Sequence, residues 1–240
     1  MEIFSVFLNF CINLVILHEM CAIYGSKKRT LFNILHDATQ SRGVYAFSAA
    51  FLNHKKRKLN IIRMHGHPKD VEKIEHGAGD ALFLGHNQAP TSSMRDYDKS
   101  TSHPFVAHNW VVAHNGVLTN HKEINNKHCS WNKNPVDTSC IPNLFHALET
   151  KHPTATEQNI ICEALSMLQG TFAVWIFNEK TGNTFIARQG STLFANAETG
   201  DFCSIESKGW IEVPEGKLYK VTTTFELAGE FASTSPFFTL

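Results

Sequence analysis

Apolar residues recur along the chain in two rhythms, one close to 3.6 residues and one close to 2, and these mark helices and half-buried strands respectively. Residues 28–40 place Leu31, Ile34, Leu35 and Ala38 at helical spacing, which predicts a helix burying those four side chains. Residues 139–150 do the same with Ile141, Leu144, Phe145 and Leu148; Pro142 falls in the first turn, where a missing N–H is tolerated. Residues 156–168 repeat the pattern with Ile160, Ile161, Ala164, Leu165 and Leu168 inward and Gly170 as the stop. Strands are predicted over 59–64, 80–86 and 110–113. The last runs into His114-Asn115-Gly116, where Asn-Gly signals a turn. Residues 171–177 and 184–188 then flank a Lys180-Thr181-Gly182-Asn183 turn, and further strands are read over 193–196, 202–206 and 217–222. Helices followed by antiparallel hairpins predict layered α+β architecture, not alternating βαβ units.

Composition narrows the class. The 240 residues carry no repeat, low-complexity tract or linker, so residues 21–240 read as one domain. Lysine plus arginine equals aspartate plus glutamate, 22 of each, so the chain lacks the basic balance expected of a nucleic-acid binder. The 14 histidines are scattered and the six cysteines show no metal-knuckle spacing, so no metal or cofactor is expected. A chain of this size needs no disulfides, and reduced thiols without an export signal point to the cytoplasm.

Residues 1–20 stand apart. They are mostly apolar, but Glu2 at the start and Glu19-Met20 at the end do not fit a signal peptide. The apolar stretch over 3–17 is short for a membrane span of ~20 residues, so membrane association is not expected. Met20 directly precedes Cys21. The segment is therefore read as a leader, a propeptide or an over-extended start, and an amphipathic or anchoring helix is the alternative.

Five segments carry candidate chemistry: Cys21-Ala22-Ile23-Tyr24-Gly25, then Ser41-Arg42-Gly43, then Gly85-His86-Asn87-Gln88-Ala89-Pro90-Thr91, then Ala113-His114-Asn115-Gly116, then Val136-Asp137-Thr138-Ser139. In this order they resemble the class II glutamine amidotransferase domain of the N-terminal nucleophile hydrolases, as found in glucosamine-6-phosphate synthase and amidophosphoribosyltransferase. The likeness runs from Cys21 to about residue 225. It implies a four-layer αββα sandwich of antiparallel sheets, with glutamine as substrate.

An N-terminal cysteine unites a thiol and an α-amine in one residue. Such an amine ordinarily titrates near ~7.7–8.0 and is suited to take the thiol proton. The resemblance makes Cys21 the nucleophile, Asn115 and Gly116 the oxyanion donors, and Arg42 the organiser of the pocket. It also implies that Asp137 holds the substrate ammonium, that Thr91 contacts its carboxylate, and that His86, His103 and His114 shape the pocket. Each has a structural alternative: Arg42 as a loop anchor, Asp137 as a helix N-cap, Asn115 as a plain turn residue, and the histidines as core groups.

The pattern breaks at Gln88, where the family usually has an arginine that pairs with the substrate α-carboxylate; Ser139 and Ser48 also depart from it. Glutamine would then bind weakly, or another cation such as Arg95 would compensate, or the substrate would be a different γ-glutamyl or small amide. The chain has no room for an acceptor domain, so a separate ammonia-acceptor enzyme is the expected partner. Oligomeric state is not legible. A non-catalytic regulatory or binding relative is the reading of a different class, and it follows if the Cys21 nitrogen stays acylated.

Overall fold

The computed structural model describes residues 21–53, 57–77, 79–89 and 98–232. The expectations placed on residues 1–20, on Thr91 and on Arg95 lie outside the described residues.

One antiparallel sheet opens with β1 (Ala22–Ser26), β2 (Ala46–Asn53), β3 (Lys58–His65) and β4 (Asp80–Gln88). The chain then builds a second sheet from β5 (Phe105–Ala107), β6 (Trp110–Leu118), β7 (Gly170–Asn178) and β8 (Asn183–Gln189). It returns to the first with β9 (Phe194–Ala195), β10 (Phe202–Cys203) and β11 (Ile211–Glu212), and ends in the second with β12 (Lys217–Val221) and β13 (Phe225–Glu230). The orders are β11-β9-β10-β1-β4-β2-β3 and β13-β12-β8-β7-β6-β5. Four helices flank them: α1 (Arg29–Thr39), α2 (His121–His128), α3 (Cys140–Lys151) and α4 (Glu157–Met167).

Strand alternation sorts the side chains into three cores. Ile23, Leu84, Val111, Ala113, Ala173 and Trp175 meet between the sheets. Tyr24, Phe47, Phe51 and Phe83 face α1 on the outer side of the first sheet. Trp110, Val112, Phe172 and Val174 face α3 and α4 on the outer side of the second. The result is the expected αββα sandwich. The Trp175 indole N–H crosses the inter-sheet core and donates to the Gly85 carbonyl at 3.2 Å. None of the described helices is long and apolar enough to cross a membrane.

Three local expectations change. First, α1 buries Phe32, Leu35, His36 and Thr39, while Ile34 is 62% exposed and Ala38 is on the surface. The helix is rotated from its apolar phase because its polar residues find buried partners: the Tyr24 hydroxyl lies 3.0 Å from His36 Nδ1, and Asn87 Nδ2 donates to Thr39 Oγ1 at 2.8 Å. Second, Asn115-Gly116 does not end its strand. β6 continues to Leu118 and pairs with β7 along its whole length, Asn115 opposite Ala173 and Gly116 opposite Phe172. Nine paired residues outweigh the local turn preference. Third, Gly170 does not stop α4; it begins β7 at φ +118° after Leu168 has already turned extended.

Candidate active site

Cys21 sits immediately before β1, and Ile23, two residues on along the same face, packs between the sheets. The neighbouring strand β4 reaches its end beside it: Ala22 pairs with Asn87, and the Ala89 backbone N–H donates to Cys21 Sγ at 3.4 Å. The nucleophile candidate is thus partly accessible and held at a strand end.

The link to Asn115 runs through Ser204. Its hydroxyl accepts the Ile23 N–H at 3.0 Å and the Asn115 Nδ2–H at 3.3 Å, so one buried oxygen ties the start of β1 to the Asn-Gly segment. Arg42 closes the group. Its guanidinium donates to the Ser204 carbonyl at 2.7 Å and to Thr192 Oγ1 at 3.2 Å. Burial pulls the Arg42 guanidinium below its ordinary value, and the nearby Cys203 and Cys21 sulfurs act the other way. Ser204 and Thr192 escape sequence reasoning. Each is a single small polar residue in a short segment, and only its position after a buried apolar pair, Phe202-Cys203, hints at an inward role for Ser204.

Gly116 has φ +142°, a region that L side chains rarely enter, and a Cβ there would stand 2.1 Å from the Thr171 carbonyl oxygen. The segment can therefore approach β7 only as glycine. Asn115 lies on the inter-sheet side of β6 together with Val111 and Ala113, whereas His114 points to the helix side.

The three histidines brace this segment. His86 Nε2 donates to the His114 carbonyl at 3.1 Å, and its ring stacks on His103 with centroids 3.8 Å apart. His103 Nδ1 accepts the His114 N–H at 3.3 Å. His114 Nε2 donates to the Thr171 carbonyl at 3.2 Å, and its Nδ1 lies 3.0 Å from Thr138 Oγ1. Burial drives His86 down to about 3. It also lowers His114, against the pull of Asp137 and of the Thr171 carbonyl. Both are neutral at ordinary pH, which their single-donor hydrogen-bond roles require.

Asp137 is half-buried. Its Oδ2 accepts the Leu118 N–H at 2.8 Å and its Oδ1 the Thr138 N–H at 2.7 Å, pinning the 3₁₀ turn Asp137–Ser139 to the end of β6. It does not cap α3, whose N-cap is Ser139. Gln88 is 1% exposed, on the same face of β4 as His86, and its Oε1 has no hydrogen-bond partner among the described residues. Among the described residues no group of three or more His, Cys, Asp or Glu comes together to hold a metal ion.

Residues 91–205, just under half of the chain, match a family described as a glutamine amidotransferase domain. The chain is similar to glutamine–fructose-6-phosphate aminotransferase (isomerizing) of Buchnera aphidicola, 25% identical over 83% of this chain and 34% of that protein. The same enzyme of Francisella tularensis is 27% identical over 72% of this chain and 29% of its own. The chain thus spans about a third of the length of these relatives. Among solved structures, glutamine phosphoribosylpyrophosphate amidotransferase from B. subtilis superposes with a TM-score of 0.66 at 17% identity, covering 90% of this chain and 49% of that one. That likeness speaks to the fold. Residues 91–205 thus carry the match to a glutamine amidotransferase domain, and the layered antiparallel sheets share the fold of the phosphoribosylpyrophosphate amidotransferase.

Proposed function

We propose that this protein hydrolyses the side-chain amide of a glutaminyl substrate, with Cys21 as nucleophile. The observation that carries the reading is the Ser204 hydroxyl, which receives N–H groups from Ile23 and from the Asn115 side chain and so sets the candidate nucleophile and the candidate oxyanion donor on one anchor. Cys21 Sγ attacks the carboxamide carbon, and its proton passes to the residue's own α-amine, which needs residues 1–20 to be absent. Negative charge forming on the carbonyl oxygen meets the remaining Asn115 N–H and the Gly116 N–H. The tetrahedral adduct collapses to a thioester as the α-ammonium returns the proton to the departing nitrogen, which leaves as ammonia. Water, deprotonated by the same amine, attacks the thioester; the carboxylate departs and the thiol is restored.

Arg42 maintains this arrangement by holding the Ser204 carbonyl, and Asp137 offers its remaining lone pairs to the substrate ammonium. The ammonia acceptor lies outside the matched domain, which corresponds to only about a third of each relative. The test compares protein translated from Met20 and trimmed to Cys21 with its Cys21→Ala variant. Ammonia and glutamate release from the first and none from the second is expected. Equal release from both removes Cys21 as nucleophile, and activity of a chain still joined through the 20–21 peptide bond removes the amine as base.

A further inference from the structure

The side-chain amide of Gln88 is buried to 1% exposure, yet its Oε1 has no hydrogen-bond partner among the described residues. Such an orphan is costly, and native interiors keep few of them unless a ligand completes the bond. Its location points to that ligand. Gln88 shares the inward face of β4 with His86, and the next residue, Ala89, donates its N–H to Cys21 Sγ. The orphaned amide therefore stands on the strand beside the candidate nucleophile, within reach of a substrate bound at Cys21.

A primary amide carries one acceptor and one donor group and no charge. Against a free carboxylate it offers at most a neutral N–H while its oxygen is left facing like polarity. Against a second amide it can donate and accept at once, in a head-to-tail pair. Arg42 is anchored through Nη1 to the Ser204 carbonyl and Thr192, and its Nε is buried without a partner among the described residues, so it does not swing out as a substitute fork.

Resting on the amide-hydrolase reading above, we propose that Gln88 makes this pocket selective for glutaminyl substrates whose α-carboxyl group is itself an amide, as in a peptide-linked or amidated glutamine, over free glutamine. Gln88 Oε1 accepts the N–H of that α-amide, and the Gln88 NH₂ donates to its carbonyl.

The test compares free L-glutamine with L-glutamine α-methylamide. Release of ammonia from each is followed with the wild type and with Gln88→Arg, and binding of each is titrated calorimetrically to Cys21→Ala with and without Gln88→Arg. For the wild type, kcat/KM and affinity are expected to be about ten- to a hundredfold higher for the α-methylamide, with Gln88→Arg inverting that order. A merely structural Gln88 would lower both substrates together and leave their ratio unmoved, which overturns the proposal. Tenfold preference of the wild type for free glutamine overturns it too, and leaves the amide-hydrolase reading standing. If neither compound is turned over, that reading fails, and the calorimetric ratio still decides the role of Gln88.

Discussion

The two helical layers of the sandwich are stabilised by opposite means. Against the second sheet, α3 and α4 bury Ile141, Leu144, Phe145, Leu148, Ile160, Ile161, Ala164 and Leu165 in an apolar seam. Against the first sheet, α1 buries His36 and Thr39 beside its aromatic residues, in a polar web that includes the Tyr24 hydroxyl and the Asn87 amide. The first sheet is also the one that presents Cys21. The layer behind the candidate nucleophile is thus held by directional bonds that fix where each group stands. The layer behind β6 and β7 is held by non-directional burial that supplies stability.

The sharpest way to break this contrast is to remove mass from the apolar layer. Phe145→Ala should destabilise the fold by about 3–5 kcal/mol, measured by urea unfolding, while kcat per folded molecule changes little. The same size of cut in the polar layer should act differently. Asn87→Ala leaves Tyr24 and Thr39 short of partners and should cost about 1–3 kcal/mol. It should also lower kcat, because Gly43, next to Arg42, lies so close to the Asn87 carbonyl that a Cβ there would be 2.4 Å away. Unchanged kcat in this variant would detach the α1 web from the site.

The smallest effect is on pH. Burial lowers His36 to about 4, with His67 adding to the shift, so the unfolded chain binds protons that the folded one refuses. Stability from this group is complete above its unfolded value of about 6.5 and is lost as pH falls toward 4. Between pH 7 and 6 the loss should be roughly 0.5–1 kcal/mol, read from urea midpoints. His36→Asn should flatten that slope in part, since buried His86 and His114 titrate in the same direction.

The same contrast explains what is legible in the sequence. α3 and α4 follow their apolar spacing faithfully because nothing competes with it in their seam. The phase of α1 departs from its apolar spacing because its inward face is chosen by Tyr24 and Asn87, partners that no helical period encodes. β2, Ala46–Asn53, has no polar alternation since both its faces are covered, so it carries no strand signal. Asn115 and the start of β1 meet at the Ser204 hydroxyl, and Arg42, from a third distant segment, binds the carbonyl of the same residue. That hydroxyl, Ser204, belongs to no motif, and its role exists only once β10 has paired with β1. The histidines, expected to shape the pocket, make bonds to the His114 backbone and the Thr171 carbonyl that are those of scaffolding around Asn115.

The indole of Trp175 bonded to the Gly85 carbonyl has a mechanical corollary. Gly85 directly precedes His86 on the strand that flanks Cys21, and Trp175 pairs with Ala113 on the strand that carries Asn115. Together with the bond from His86 to the His114 carbonyl, this peg opposes sliding of one sheet over the other beside Cys21 and Asn115. The spacing between the strand that flanks Cys21 and the strand that carries Asn115 is thereby pinned from inside the sandwich.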